Sequence, residues 1–394
     1  MLIWEQRIYM DSIRQLHIEI SSLCNAACPA CPRFFNNSEN VNPMLEQKFM
    51  SIDTFKSYIS PEILGKTESL LFCGNHGDPV TNPHLLEIVE YCHLHLKGDL
   101  SIHTNGGMQS PTKWSKIGSV FAKNLDRKWR VVFSIDGLED TNHIYRRNVK
   151  WDKLKKNFLA FIEAGGFSTW EYLVFRHNEH QLEEARNRAI EYGFGELKIK
   201  NALNLDNGTS FNTIPAMNSD GTLDYQIYPP ENELYRTSIP KDDKVHEIIK
   251  TFDRAELDRF LNSDNSSYNK VEFDHPIKPK CEDELYVDAS GTVFPCCFTA
   301  ISYPFKKFVD GKYHYTNKSS KQLHEAYMNI GIDKLNLDTN KLENILENRI
   351  LDKIYKDKWG KSVEEGKLLS CITFCGEENS LSCLYNKEIK TNSI

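Results

Sequence analysis

No apolar run in the sequence approaches the roughly 20 residues that a membrane-spanning helix needs, so no membrane partner is expected. A surplus of positive charge is also missing. Lys and Arg number 48 against 55 Asp and Glu, a formal net charge of −7, whereas a general nucleic-acid binder needs excess cations to meet phosphate. The opening residues MLIWEQRIYMDSIRQ carry charges where an export signal needs its apolar segment, and the chain reads as cytoplasmic. There is no internal repeat. Finally, the stretch CNAACPAC holds Cys24, Cys28 and Cys31 but lacks a fourth cysteine beside them.

What is present is length and clustered thiols. At 394 residues the chain is long enough for two or three domains, and its 40% hydrophobic content is ordinary for a globular protein. Eleven cysteines in a reducing compartment are not a disulfide framework. Three lie near the start, and Cys281, Cys296, Cys297, Cys371, Cys375 and Cys383 lie towards the end, a distribution that points to metal. Cys92, at helical spacing from Leu85 and Val89, reads as a core residue, as does Cys73 at the end of an apolar run.

Six segments read as buried strands: LHIEI (16–20), SLLFC (69–73), LSIHT (100–104), RVVFSID (130–136), EYLVF (171–175) and LKIK (197–200). Helical patterns separate them. Asn82 and Pro83 read as the cap and first residue of a helix over 83–97, a stripe of Leu154, Phe158, Phe161 and Ile162 ends at Gly165 and Gly166, and a helix from 181 stops at Gly193. This alternation predicts a parallel β/α sheet, a barrel or an incomplete one. From about 204 to 270 the composition turns to Asn, Ser, Gly and Pro, with a short helix expected near 253–261. Beyond it, LYVD and TVFP flank Ala289-Ser290-Gly291 as a β-hairpin, and SSKQLHEAYMN and DTNKLENILENRILDKIYKDKW read as helical. The tail 386–394 reads as a loose end.

Thiolates normally hold all four irons of a 4Fe-4S cluster, so three closely spaced cysteines leave one iron open to a substrate or cosubstrate. The competing reading is zinc with a remote fourth ligand, although no second C-x2-C pair occurs in the same half of the chain. Cys24-x3-Cys28-x2-Cys31, on the loop after the first strand, resembles the signature of the radical S-adenosylmethionine (radical SAM) superfamily, and Phe34 suits that family's cluster loop. CGNHGDP (73–79) stands where the family has Gly-Gly-Glu, with Asp78 in place of Glu. HTNGG (103–107) and FSIDG (133–137) are similar to its third and fourth strand ends. The resemblance implies that Gly77, Asp78, Thr104, Asn105, Ser134, Asp136, Arg146 and Asn178 meet SAM or substrate. For Arg146 and its neighbour Arg147 a solvated surface pair is the alternative, and for Asn178 a helix cap is.

Cys281-x9-Gly291-x4-Cys296 resembles the opening of the auxiliary-cluster domains called SPASM and of their shorter form, twitch, in which a hairpin returns both thiols to one end of a ribbon. Cys371 and Cys375 are the expected further ligands, with Cys297 and Cys383 in reserve, and a zinc ribbon is the alternative. Six cysteines are too few for two complete clusters, so twitch is the better match. The resemblance implies a partial (β/α)6 TIM-like barrel over 1–205, a linker or substrate-covering insertion over 206–270, and a C-terminal α+β auxiliary-cluster domain over 271–394. Its implied cofactors are a SAM-binding 4Fe-4S cluster, S-adenosyl-L-methionine and an auxiliary 4Fe-4S cluster, with a one-electron donor such as flavodoxin or ferredoxin as partner. The implied reaction is an oxidation or crosslink of a peptide or small polar molecule by a radical SAM oxidoreductase. Asp136, Glu171 and His177 stand where a base would be needed, and the sequence does not rank them. A non-catalytic zinc or iron-sulfur protein is the rival function.

Overall fold

A computed structural model describes residues 14–201 apart from 35, 36 and 125, residues 213–236, residues 284–352 apart from 304, 305, 310, 311, 316 and 317, and also Leu368 and Cys371. Side chains that alternate apolar and polar form the strands β1 (Gln15–Ile18), β2 (Ser69–Phe72), β3 (Asp99–Thr104), β4 (Arg130–Ser134), β5 (Ser168–Val174) and β6 (Glu196–Asn201). Parallel neighbours require crossovers. Helices supply them: α1 (Ile52–Tyr58), α2 (Pro61–Lys66), α3 (Leu85–His95), α4 (Pro111–Ala122), α5 (Asn142–Tyr145), α6 (Trp151–Glu163) and α7 (Leu182–Tyr192). Ser51, Ser60 and Ser110 cap α1, α2 and α4 by accepting the N–H groups of Thr54, Ile63 and Lys113. Gly165 and Gly193 follow α6 and α7 with φ of +88° and +81°, a left-handed backbone that stops a helix without a Cβ clash.

The helix expected from residue 83 begins at Leu85 instead. Asn82 serves the neighbouring loops: its Oδ1 accepts the His84 N–H, while Nδ2 donates to the carbonyls of Ile20 and Met50. The expected helices over 253–261 and beyond residue 352 lie outside the described residues. Inside the polar stretch 206–270, β7 (Ile214–Met217) and β8 (Leu223–Ile227) pair as a hairpin closed at Gly221. The interior Pro215 hid that strand in the sequence.

Among the described residues the main sheet has eight strands, in the order β10 (Val293–Phe294), β9 (Glu284–Val287), β1, β2, β3, β4, β5, β6. β1 to β6 are parallel throughout, as expected of a partial β/α barrel, and among the described residues the sheet ends at β10 and β6. Its outer two strands come from the far end of the chain. β9 (Glu284–Val287) runs parallel to β1, with His17 opposite Tyr286, and β10 (Val293–Phe294) returns antiparallel. The expected hairpin around Gly291 is therefore present, with φ of +79° at that glycine and Asp288 Oδ1 accepting the N–H groups of Ser290 and Thr292.

One face of the sheet is the core. Leu16, Ile18, Phe72, Ile102, Phe133, Trp170, Tyr172 and Ile199 are buried there, beneath Trp114, Phe121, Phe158 and Phe161 of the helices. Burying each such aromatic contributes about 1.5–3 kcal/mol. Cys92 of α3 joins this layer as expected. The other face carries His17, Glu19, His103, Ser134, Glu171 and Lys200 at the intervening positions. Cys73 belongs to this second face and is half-buried, because it follows Phe72 in the alternation.

Candidate active site

The loop after β1 holds the three clustered cysteines and is fixed by backbone bonds to its neighbours. Ser22 N–H donates to Lys48 O, Asp78 N–H to Leu23 O at 2.7 Å, and Ala27 N–H to Arg147 O at 3.0 Å. Gly77 packs so closely that a Cβ there would lie 1.9 Å from Ser21 O. Two tight turns, Cys31 N–H to Cys28 O and Phe34 N–H to Cys31 O, with Ala30 at φ +64°, shape the loop around Cys28 and Cys31. Donors surround them. Asn105 Nδ2 is 3.6 Å from Cys24 Sγ and Arg146 Nη1 is 3.8 Å from Cys28 Sγ, while backbone N–H groups of Ala26 and Arg33 point at Cys24 and Cys31.

Burial pushes all three thiols up, and Cys31 reaches about 12, raised further by Cys28 beside it. Buried thiols of this kind stay protonated unless a cation takes the proton's place. Among the described residues, the three-residue group whose donor atoms close to within 4.8 Å is His17, Glu284 and Cys297; Cys24, Cys28 and Cys31 do not form such a group. Two thiolates on one tetrahedral zinc lie only about 3.8 Å apart. The three thiols and their N–H donors therefore fit a cluster of several irons better than a single ion.

The loop after β2 is held from both sides. Glu19, at the end of the first strand segment, accepts the N–H groups of His76 and Gly77 on Oε1, both at 2.8 Å, and the Tyr286 hydroxyl on Oε2 at 2.9 Å. Asp78 is buried, and its carboxylate accepts Thr104 Oγ1, Asn105 N–H and Val80 N–H at 2.8–3.0 Å. Burial raises its pKa against the pull of these three bonds. Asn105 thereby links Asp78 to Cys24.

On the opposite side Asp136, fully buried, accepts Arg146 Nε at 2.6 Å and Leu173 N–H at 2.7 Å. Burial opposes the charge on Arg146, but Asp136 and then Cys28 more than offset it, and its pKa is raised. Asn178 commits its whole amide to the backbone, donating to Asp136 O and Leu173 O and accepting Phe175 N–H, so its side chain shapes the loop and caps no helix. Arg147 is no solvated surface group: it meets Glu39, Asp224 and Met217 O, tying the β7–β8 hairpin to the cysteine loop. Ser134 ends β4, half-buried, opposite Glu171.

Thr104, Asp78 and Asn105 thus lead to Cys24, and Asn178, Asp136 and Arg146 lead to Cys28, two strings of contacts that end on the cysteine loop, with Gly77 packed against Ser21. Of the candidate bases, Asp136 is locked to Arg146, and Glu171 pairs with Lys200 Nζ at 2.5 Å. His177 lines a cavity of about 450 Å³ with His143, Arg176, Tyr225 and Tyr228, and burial lowers its pKa to about 4. Cys296 and Cys371 are buried, and Cys281, Cys375 and Cys383 lie outside the described residues. Glu19, His17, His103 and Tyr286 were not singled out in the sequence. The signal for the first two was there, since LHIEI places His17 and Glu19 opposite its apolar face.

No protein-family model and no curated protein matches the chain. Solved structures do resemble it. SuiB of Streptococcus suis bound to S-adenosylmethionine is 13% identical with a TM-score of 0.48, over 96% of this chain and 75% of that one. The anSMEcpe structure with bound AdoMet is 17% identical with a TM-score of 0.48, over 94% and 90%. BtrN in complex with AdoMet and 2-DOIA is 12% identical with a TM-score of 0.40, over 91% and 92%. At these scores the fold assignment rests on the strand order and registers above. No helix among the described residues is long and apolar enough to cross a membrane.

Proposed function

We propose that the chain is a radical SAM enzyme whose Cys24, Cys28 and Cys31 hold a 4Fe-4S cluster. The observation that carries this reading is the network running from Asp78 through Asn105 to Cys24, and from Cys28 through Arg146 to Asp136, at the ends of successive parallel strands. Catalytic groups of β/α barrels collect at that end. Held by Cys24, Cys28 and Cys31, such a cluster with SAM would supply one-electron reductive chemistry and hydrogen-atom abstraction. The chain's own part is orientation. Asp78 Oδ2 accepts one hydrogen bond and keeps capacity for an ammonium group, and the guanidinium N–H groups of Arg146 beyond those on Asp136 and Cys28 suit a carboxylate. Thr104 and Asn105 hold Asp78 in place, Gly77 lets its loop approach the cysteine loop, and Asn178 shapes the backbone around Asp136. Ser134 faces SAM or the substrate.

The polar concave face, with His103, Glu171 and Lys200, suits a polar substrate, either a small molecule or a peptide segment, undergoing a two-electron oxidation or a crosslink. An auxiliary 4Fe-4S cluster on Cys281, Cys296, Cys371 and Cys375, with Cys383 in reserve, would accept the second electron, and a flavodoxin- or ferredoxin-type donor would deliver the first. The test is anaerobic reconstitution with iron and sulfide, followed by SAM and dithionite. About eight irons per chain are expected with both clusters and about four with one, with 5′-deoxyadenosine formed by the intact protein and not by Cys28→Ala. Zinc in place of iron, or a filled cluster that leaves SAM intact, overturns the reading in favour of a non-catalytic metal protein.

A further inference from the structure

His17, Glu284 and Cys297 meet where β1, β9 and the segment that follows β10 come together. A ring nitrogen, a carboxylate oxygen and a thiol sulfur from them lie within 4.8 Å of one another. His17 Nε2 is 2.7 Å from Cys73 O, which can only accept, so Nε2 carries the ring proton. Nδ1 then faces Glu284 Oε1 at 3.2 Å. Two lone pairs at that distance require a proton or a metal cation between them. Two donors about 2.0–2.1 Å from a tetrahedral zinc lie about 3.3 Å apart, close to the separation found.

The surroundings hold this arrangement in place. The Tyr286 ring packs edge-on against His17 with centroids 4.6 Å apart, and Asn75 Nδ2 donates to Cys297 O at 2.8 Å. A ligating histidine that donates its other N–H to a backbone carbonyl is the usual outer shell of a zinc site. The adjacent Cys296 has its sulfur 3.7 Å from Thr299 Oγ1 and acts electrostatically on Cys297. We infer that His17, Glu284 and Cys297 form a mononuclear zinc site, independent of the cluster cysteines, on the polar face of the sheet. One nitrogen, one oxygen and one sulfur make a borderline donor set that suits Zn²⁺, and the Cys73 thiol also meets His17 beside it. The ion would join residues 267 positions apart in sequence, clamping the C-terminal hairpin onto β1.

The full chain, stripped with a chelator and reloaded with Zn²⁺ under reducing conditions, tests this directly. The wild type should hold one equivalent more zinc than Cys297→Ser or His17→Gln, and zinc-edge absorption should show that equivalent in a shell of one sulfur with nitrogen and oxygen. Cluster cysteines that bind zinc would give a sulfur-rich shell instead. Glu284→Gln should weaken zinc at least tenfold, and each variant is checked by circular dichroism, with unchanged iron loading after reconstitution required of His17→Gln and Glu284→Gln. Equal zinc in the wild type and in folded variants, or only sulfur-rich zinc, overturns the site and leaves His17 as an imidazolium paired with Glu284. Iron loading and SAM cleavage report on the proposed function separately.

Discussion

The two faces of the β1–β6 sheet are made by the same strands and obey opposite rules. The helix-covered face is built from area: Trp170, Tyr172 and Phe133 are wholly buried, Phe133 and Trp170 pack ring against ring with Phe194, and Trp170 does so with Tyr172. The concave face is built from matched charges and hydrogen bonds, with Glu19 accepting three donors, Asp136 holding Arg146 and Glu171 holding Lys200. The difference teaches what each face tolerates. Apolar packing tolerates volume-conserving exchange, whereas a buried charge fixes its partner's position and makes a site of it.

Breaking the polar side at its centre should have the largest effect. Cys28→Ala should abolish 5′-deoxyadenosine formation while leaving the circular dichroism spectrum unchanged, because the side chain belongs to a loop. Asp136→Asn would strand the Arg146 guanidinium without its carboxylate, costing about 3–5 kcal/mol, and should show as a lowered denaturation midpoint together with weakened SAM binding. On the apolar side, Trp170→Ala should cost a similar about 3–5 kcal/mol, with any SAM cleavage by the remaining folded protein unchanged. That divergence between two equally destabilised variants is the sharpest test of the two-face description.

Glu171→Gln should have the smallest effect, below about 1 kcal/mol, because Lys200 is more than one-third exposed and solvent screens the pair. Its pH dependence has a definite sign. Burial raises the Glu171 pKa, but Lys200 and His103 lower it more, and the net shift is downward. A lowered carboxylate contributes stability above its unfolded pKa of about 4.3 and loses it as pH falls through the folded value. The stability difference between wild type and Glu171→Gln, followed by urea denaturation from neutral pH into acid, should therefore shrink. A difference that grows in acid would contradict the pairing with Lys200.

Much of the scaffold was legible because its signals are local. The six strands, the hairpin at Gly291, the stop at Gly193 and the burial of Cys92 follow from alternation, left-handed glycines and helical spacing. Asn82 misled because an asparagine before proline caps a helix in most settings, and here its amide is taken by Ile20 and Met50, some 62 and 32 positions away. The β7–β8 hairpin was hidden by Pro215. Asp78, Asn105, Asp136 and Arg146 were singled out through strand-end motifs, yet no motif shows that Asp136 and Arg146 pair with each other or that Asn178 turns inward to the backbone.

The sequence by itself determined the period-two strands, the crossovers between them and three cysteines spaced for a loop, since each depends on residues a few positions apart. Only the tertiary structure decided that β9 pairs with the free edge of β1. Backbone hydrogen bonding at a sheet edge accepts any extended segment of the right geometry, so the partner is chosen by the whole fold and not by the strand itself. From that one pairing come Tyr286 on Glu19 and the meeting of His17 with Glu284 and Cys297.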